Sequence, residues 1–379
     1  MLAGLLLAVE GLVRKGRVAP EQVNQVLVLE YRLPLGNLVH MTPVFEAIKR
    51  SRPEVEVTVA TLGLGLQVLR HSPFVDHLIE TPDPTKNLAA AVRALRKSLK
   101  RLGIRPDCVL TGVADQRTRI ALTAMLGSGG WRGGYTLKPA LYYRPLAHDG
   151  GLSLIRNNLR VAKLIGCDAE ITQPQVFFSK RDAVTAETLL RDANPEGRPL
   201  AVMVTHHSGT QPKAWHTERF VEVIRNVVLE RGFSVVYVGT ASDAEAIGAI
   251  RDCAGGLGRS IAGKTSVSEL AAVLALSDVV VTIDTGSMHI GRAVGVPMVV
   301  LGPSWDKTLE WMPLGVENVR IRRGEDRIHV PAGYQLDEIS VDSVLAAFSE
   351  LTTLYPPSAE ARQSRLQAGM SEVDHMMIR

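Results

Sequence analysis

Short apolar runs alternate with amphipathic stretches along most of the 379 residues. In the first half VLVLE (26–30), EVTVAT (56–61), DHLIETP (76–82) and DCVLTGV (107–113) read as strands. MTPVFEAIKRSRP (41–53), stopped by Pro53, LGLQVLRHSP (64–73) and TKNLAAAVRALRKSLKRLGIRPD (85–107) read as helices between them. Strands separated by helices at this spacing pair in parallel. The last of these helices is the most periodic, with Leu88, Val92, Leu95, Leu99 and Leu102 on one face and Arg93, Arg96, Lys97, Lys100 and Arg101 on the other. Between the first strand and its helix lies a loop holding Gly36 and Asn37, with His40 three residues further on. From about 127 the pattern loosens: GSGGWRGGYTLKP is glycine-rich and reads as irregular, followed by a helix that Gly166 stops.

The same grammar restarts after ITQPQVFFS (171–179). PLAVMVT, FSVVYVG, VVVTI and MVVLGPS read as strands, each separated from the next by a helical stretch. Thr217 is placed to cap one of these helices, with Gly232 past its end. Ser266 with Glu269 has the capping-box spacing for another. The pattern predicts an α/β chain of two Rossmann-like units with a cleft between them. An extension (1–22) precedes a first domain (23–175), a second domain (176–350) follows, and a polar, weakly patterned tail (351–379) reads as mobile.

Composition narrows the classes. Three cysteines, Cys108, Cys167 and Cys253, lie far apart without a CxxC or Cys/His cluster, which points to a reducing compartment and away from disulfides or structural zinc. A net charge of +4 favours anionic ligands or a membrane surface without the signature of nucleic-acid binding. The apolar start MLAGLLLAVEGLV precedes its basic residues, the reverse of a secretory signal, and is too short to span a bilayer. It reads either as a helix packed on the body or as an interfacial anchor with Arg14, Lys15 and Arg17 at the headgroups. The basic face over 93–101 is either a solvated helix face or a surface for anionic lipid or an anionic acceptor.

Three constellations carry chemistry. In IDTGSMHIGRAVGVP a buried strand delivers Asp284, Thr285 and Gly286 to the start of a helix at about Ser287, whose open N–H groups and dipole favour an anion. Asp284 would repel a phosphate and suits sugar hydroxyls better; the pair also suits simple helix capping. In THHSGTQPKAWHTERF, Ser208, Gly209, Thr210 and Lys213 suit a diphosphate, though the spacing is not that of a P-loop and a loop lysine is commonly just solvated. His206, His207 and His216 lack carboxylates at ligand spacing, so no metal is expected. In GTASDAEA, Asp243 follows a strand and suits either ribose hydroxyls or a helix cap. No GxGxxG follows either first strand, which disfavours a dinucleotide cofactor.

In that order LPLGNLVHMTPVFEAIKRSRP, TQPKAWHTERF and IAGKTSVSELAAVLALSDVVVTIDTGSMHIGRAVGVPMVVLGPS resemble the ADP-heptose:lipopolysaccharide heptosyltransferases, glycosyltransferase family 9, over about residues 25–345. The resemblance implies a GT-B fold, two Rossmann-like domains facing across a cleft. It implies an inverting, metal-independent transferase without a cofactor, using a nucleotide-diphosphate-sugar, ADP-heptose, as donor substrate. The acceptor would be an anionic glycolipid at the cytoplasmic face of the inner membrane, with the enzyme cytoplasmic or peripheral there. By resemblance Ser208, Gly209, Lys213, Thr285 and Gly286 lie at the donor phosphates, Asp284 at the sugar, Asp243 at the ribose and Thr265 at the adenine, with His289 also in the motif. The family places an aspartate, its general base, where this chain has Asn37. An amide takes up no proton at neutral pH. Either another group such as His40 serves, or the acceptor demands less help, or the chain binds nucleotide-sugar as a degenerate member or scaffold with little turnover.

Overall fold

A computed structural model describes residues 18–31, 34–206, 213–305, 308–327 and 329–375. The chain divides into two compact units: one runs to Pro174 and is rejoined by the chain from Val373, and the other is Gln175–Glu372. Each unit holds a six-stranded parallel sheet.

In the first unit β1 (Gln25–Leu29), β2 (Glu56–Thr61), β3 (His77–Glu80), β4 (Cys108–Thr111), β5 (Trp131–Tyr135) and β6 (Arg144–Leu146) lie in the order β3-β2-β1-β4-β5-β6. In the second, β7 (Leu200–Val204), β8 (Ser234–Tyr237), β9 (Arg259–Ser260), β10 (Val279–Ile283), β11 (Met298–Leu301) and β12 (Val319–Arg322) lie in the order β12-β11-β10-β7-β8-β9. Counted from the first strand of each unit, both orders are the doubly wound 3-2-1-4-5-6. Central strands β1, β4, β7 and β10 are apolar runs buried on both faces, as helix-covered parallel strands must be. The chain turns back past its starting strand between β1 and β4, and again between β7 and β10. Ligands of such sheets bind outside the carboxyl ends of the strands at those two reversal points.

The structure corrects four sequence-based expectations. Gly36 and Asn37 are not loop residues: the helix begins at Leu35 and runs to Ser51, with Pro34 as N-cap and the Asn37 N–H donating to the Pro34 carbonyl at 3.1 Å. Pro43 sits inside this helix and cannot donate to Val39. The Thr42 hydroxyl donates to the Val39 carbonyl instead, at 2.8 Å, so a proline that reads as a helix start is accommodated inside one. The glycine-rich stretch at 131–135 is strand β5, not irregular chain. Gly134 takes φ +110°, and a Cβ there would run into the Thr111 backbone of β4, so glycine is what allows the strands this close.

Thr217 is the first residue of its helix rather than the cap; His216 holds the cap position without a side-chain cap bond and meets Asp337 at 2.6 Å instead. By contrast, the Ser266–Glu269 capping box forms as the sequence predicts. The tail is not loose. A helix, Ala359–Gly369, packs beside the Val267–Ala275 helix. Only Leu366 of its residues is buried, and polar contacts do the fixing: Arg362 grips both carboxylate oxygens of the buried Asp278 at 2.8 and 2.7 Å. Beyond it the Val373 carbonyl meets the His71 ring at 2.8 Å, and Arg70 pairs with Asp374. No helix among the described residues is long and apolar enough to cross a membrane. The apolar start, 1–17, lies outside the described residues.

Candidate functional site

At the β7/β10 reversal, β10 hands over to Asp284, Thr285 and Gly286, and the helix Gly286–Val294 starts at once. Thr285 is the N-cap residue, yet its hydroxyl makes no cap bond and is buried without a partner among the described residues. Capping therefore does not explain it. Gly286 and Ser287 are half exposed, so the first N–H groups of this helix, which have no partner within it, stay accessible. Behind them Asp284 has a side chain only 4% exposed. Lys213, the lysine of the KAW stretch, reaches it from 71 residues away, Nζ to Oδ2 2.5 Å. The concern that Asp284 would repel an anion is thus answered: its charge is met by Lys213. The Lys213 ammonium also stands 5.5 Å from the centre of the Trp305 ring, which suits a cation.

His289, one turn along the same helix, puts Nε2 3.9 Å from Asp284 Oδ1. Burial lowers its pKa from 6.5 to about 4; Asp284 raises it, while Arg292 and Lys213 lower it further. His289 is therefore neutral at pH 7 and adds no charge to the site. The folded pKa lies below the unfolded one, so His289 costs nothing above about pH 6.5. Stability falls as pH drops below that, because the unfolded chain takes up a proton that the folded one refuses. The loss approaches about 3 kcal/mol near pH 4. Denaturation midpoints between pH 7 and 4.5 are expected to fall less steeply for His289→Asn than for the parent; parallel curves would contradict the assignment.

Asp243 and Thr265, which the resemblance assigns to the donor, fall on the loops after β8 and β9. Asp243 follows β8, and its Oδ2 accepts from the Thr240 N–H and hydroxyl, both at 2.7 Å, so that oxygen serves as a cap. Thr265 immediately precedes the Ser266 cap and is half exposed. The two loops are tied by the Gly263 N–H donating to the Gly239 carbonyl at 2.9 Å. Ser208 and Gly209 lie outside the described residues, as do His207 and Thr210. His206, at the end of β7, meets the Thr205 hydroxyl at 2.8 Å. Among the described residues no group of three or more His, Cys, Asp or Glu is placed to hold a metal ion.

The KAW stretch is anchored from behind. Trp215 is 3% exposed, stacks edge-on against Phe220 at 4.9 Å, and donates from Nε1 to the Ile339 carbonyl at 3.0 Å. Arg219 donates to the same carbonyl at 2.6 Å. Trp305 was not singled out from the sequence; GPSW directly after a strand at the ligand edge is the signal that would have found it.

In the first unit Asn37 and His40 sit in the first turns of the Leu35–Ser51 helix, on one face, 6% and 1% exposed. The His40 carbonyl accepts from Asn158 Nδ2 at 3.2 Å, and Asn158 Oδ1 accepts from the Val113 N–H at 2.9 Å, which fastens this helix to the segment after β4. At the β1/β4 reversal stand two carboxylic acids that the sequence did not connect, Glu30 and Asp115, 2% and 3% exposed.

A model of glycosyltransferase family 9 (heptosyltransferase) matches residues 123–326, more than half of the chain. The chain belongs to this family. Lipopolysaccharide heptosyltransferase 3 of Escherichia coli K12 is 24% identical over 354 residues, 86% of this chain and 97% of that protein. Among solved structures, a family 9 glycosyl transferase from Veillonella parvula superposes with a TM-score of 0.77 at 18% identity, covering 90% of this chain and all of that one. ADP-heptose lipopolysaccharide heptosyltransferase II of E. coli follows at 0.68 and 18%, covering 87% and 99%. The fold is the GT-B fold of these family 9 glycosyltransferases.

Proposed function

We propose that this family 9 glycosyltransferase moves a heptose from ADP-heptose to a lipopolysaccharide-type or related glycan acceptor, with inversion at the anomeric carbon and without a metal ion. The relatives carry the names of lipopolysaccharide heptosyltransferases, and one is named for ADP-heptose. The observation that carries the proposal is the Lys213–Asp284 pair at the head of the Gly286–Val294 helix. A sugar diphosphate leaves as a polyanion, and the step is eased by positive charge fixed where that charge grows. Lys213 and the open N–H groups at Gly286 and Ser287 supply it, the role a divalent ion fills in other transferases. Asp284 holds the ammonium in place and offers its oxygens to sugar hydroxyls; Ser208 and Gly209 add to the phosphate side, Asp243 to the ribose and Thr265 to the adenine. The first domain, 23–175, takes the acceptor and the second, 176–350, the donor.

Peripheral attachment to the inner face of the cytoplasmic membrane belongs to the same proposal. Arg93, Arg96, Lys97, Lys100 and Arg101 are all exposed on one helix and suit anionic lipid or an anionic glycolipid acceptor. The test is transfer from ADP-heptose to truncated lipopolysaccharide cores in the presence of a chelator. The product's mass and anomeric configuration are read, together with salt-reversible sedimentation on anionic vesicles. Mass gain of one heptose with inverted configuration is expected; no transfer to any core, or transfer abolished by the chelator, would overturn it.

Asn37 favours a second reading, a degenerate member that binds nucleotide-sugar with little turnover. Under that reading Asn37→Asp raises turnover about a hundredfold, whereas an unchanged rate counts against it.

A further inference from the structure

The two reversal points of the sheets are built differently. At β7/β10 a carboxylate is met by a lysine. At β1/β4 a carboxylic acid is met by another. Glu30 is the first residue after β1, and Asp115 closes the short helical turn Val113–Asp115 after β4. The strands are neighbours, with Leu29 opposite Thr111, so both acids stand at the edge where a doubly wound sheet takes its ligand. Each is almost fully buried. The Tyr31 N–H donates to Asp115 Oδ2 at 3.1 Å, and this favours the ionised form on Asp115. Glu30 Oε1 is buried and meets no donor among the described residues, and the Glu30 carboxyl lies beside that of Asp115. Two buried carboxyls in contact do not both ionise readily, and such a pair keeps one proton between them.

We propose that the Glu30–Asp115 pair is the proton acceptor for the acceptor hydroxyl, the role that the amide of Asn37 leaves vacant. The proposal rests on the transferase reading above. The balance is simple. The acceptor O–H bond breaks and its proton passes to the carboxylate of the pair, directly or through one water. The oxygen forms its bond to the anomeric carbon, and the bond from that carbon to the diphosphate breaks with the electron pair leaving on phosphate.

Burial first, and Asp115 second, raise the Glu30 pKa well above 4.5, in the direction that makes a carboxylate a stronger base near neutral pH. Among the described residues the charged and titratable groups around it are these. Asp115 faces Glu30 directly, Tyr31 beside it bonds Thr81 at 2.8 Å and feels Asp83, and Tyr142 feels both Asp115 and Arg132.

The test is the pH profile of kcat for the parent, for Glu30→Gln and for His40→Gln, with ADP binding measured alongside. A glutamine at 30 can donate to Asp115 and preserves the packing, but takes up no proton. The parent is expected to show an acid limb above the ordinary carboxylate range. Glu30→Gln should lower kcat by about 10²–10⁴-fold, remove that limb and leave ADP affinity and KM for the donor unchanged. Three results overturn the proposal: an unchanged profile in Glu30→Gln, a limb that disappears in His40→Gln instead, or a parent limb at an ordinary carboxylate pKa. The last needs no variant to fold. An inactive parent would instead count against the transferase reading itself.

Discussion

Replacing Lys213 by alanine is expected to lower kcat/KM for the nucleotide-sugar by about 10²–10³-fold, the usual cost of removing one fixed positive group from a developing anion. It has a second effect with a separate readout. Asp284, its side chain 4% exposed, loses the ammonium at 2.5 Å. Breaking a buried pair by removing one partner costs about 3–5 kcal/mol, because the remaining charge stays buried. Asp284→Asn separates the two effects. It leaves the Lys213 ammonium without its carboxylate, but at 12% side-chain exposure against 4% for Asp284 that charge lies nearer to solvent. The asparagine variant should therefore lose turnover with a much smaller fall in denaturation midpoint. Equal midpoints for the lysine and aspartate variants would contradict the pairing.

Trp215→Ala is expected to be the most destabilising single change in the second unit's loop framework. Truncating a buried tryptophan costs about 3–5 kcal/mol. Here the ring packs on Phe220 and its N–H holds the Ile339 carbonyl. Lys213 lies two residues away on the same stretch, so the loss should also weaken nucleotide binding. Trp215→Phe keeps most of the packing and gives up one hydrogen bond, a cost of about 1 kcal/mol. Arg219 still donates to the same carbonyl. Chemical denaturation of both variants, with ADP affinity measured in parallel, reads this out. A phenylalanine variant as unstable as the alanine one would mean that the hydrogen bond, not the ring, fixes the stretch.

What could be read from the chain follows from how local each feature is. Both sheets were legible because apolar strands and amphipathic helices repeat over a few residues, and Asp284, Thr285 and Gly286 were legible because one strand and one helix deliver them in a row. The Leu35 helix began earlier than expected because Pro43 hides its interior, and Thr42 supplies the missing hydrogen bond. Strand β5 was missed because glycines argue against strands in isolation; the close approach of β4, visible only in three dimensions, is what requires one of them. The tail helix was missed because an ion pair with Asp278, 84 residues away, holds it rather than an apolar face. The Glu30–Asp115 pair was out of reach for the same reason. Glu30 reads as the last residue of a strand, and nothing nearby in sequence points to an acid in the turn after the adjacent strand β4.

The proposed transfer requires the second unit's edge to be a nucleotide-diphosphate site. Titration of the purified protein with ADP, UDP and GDP, with Lys213→Ala as control, tests this most directly. Saturable ADP binding, tighter than that of UDP or GDP and weakened in the variant, is the predicted result. No binding of any nucleotide, or ADP binding untouched by the loss of Lys213, would contradict it.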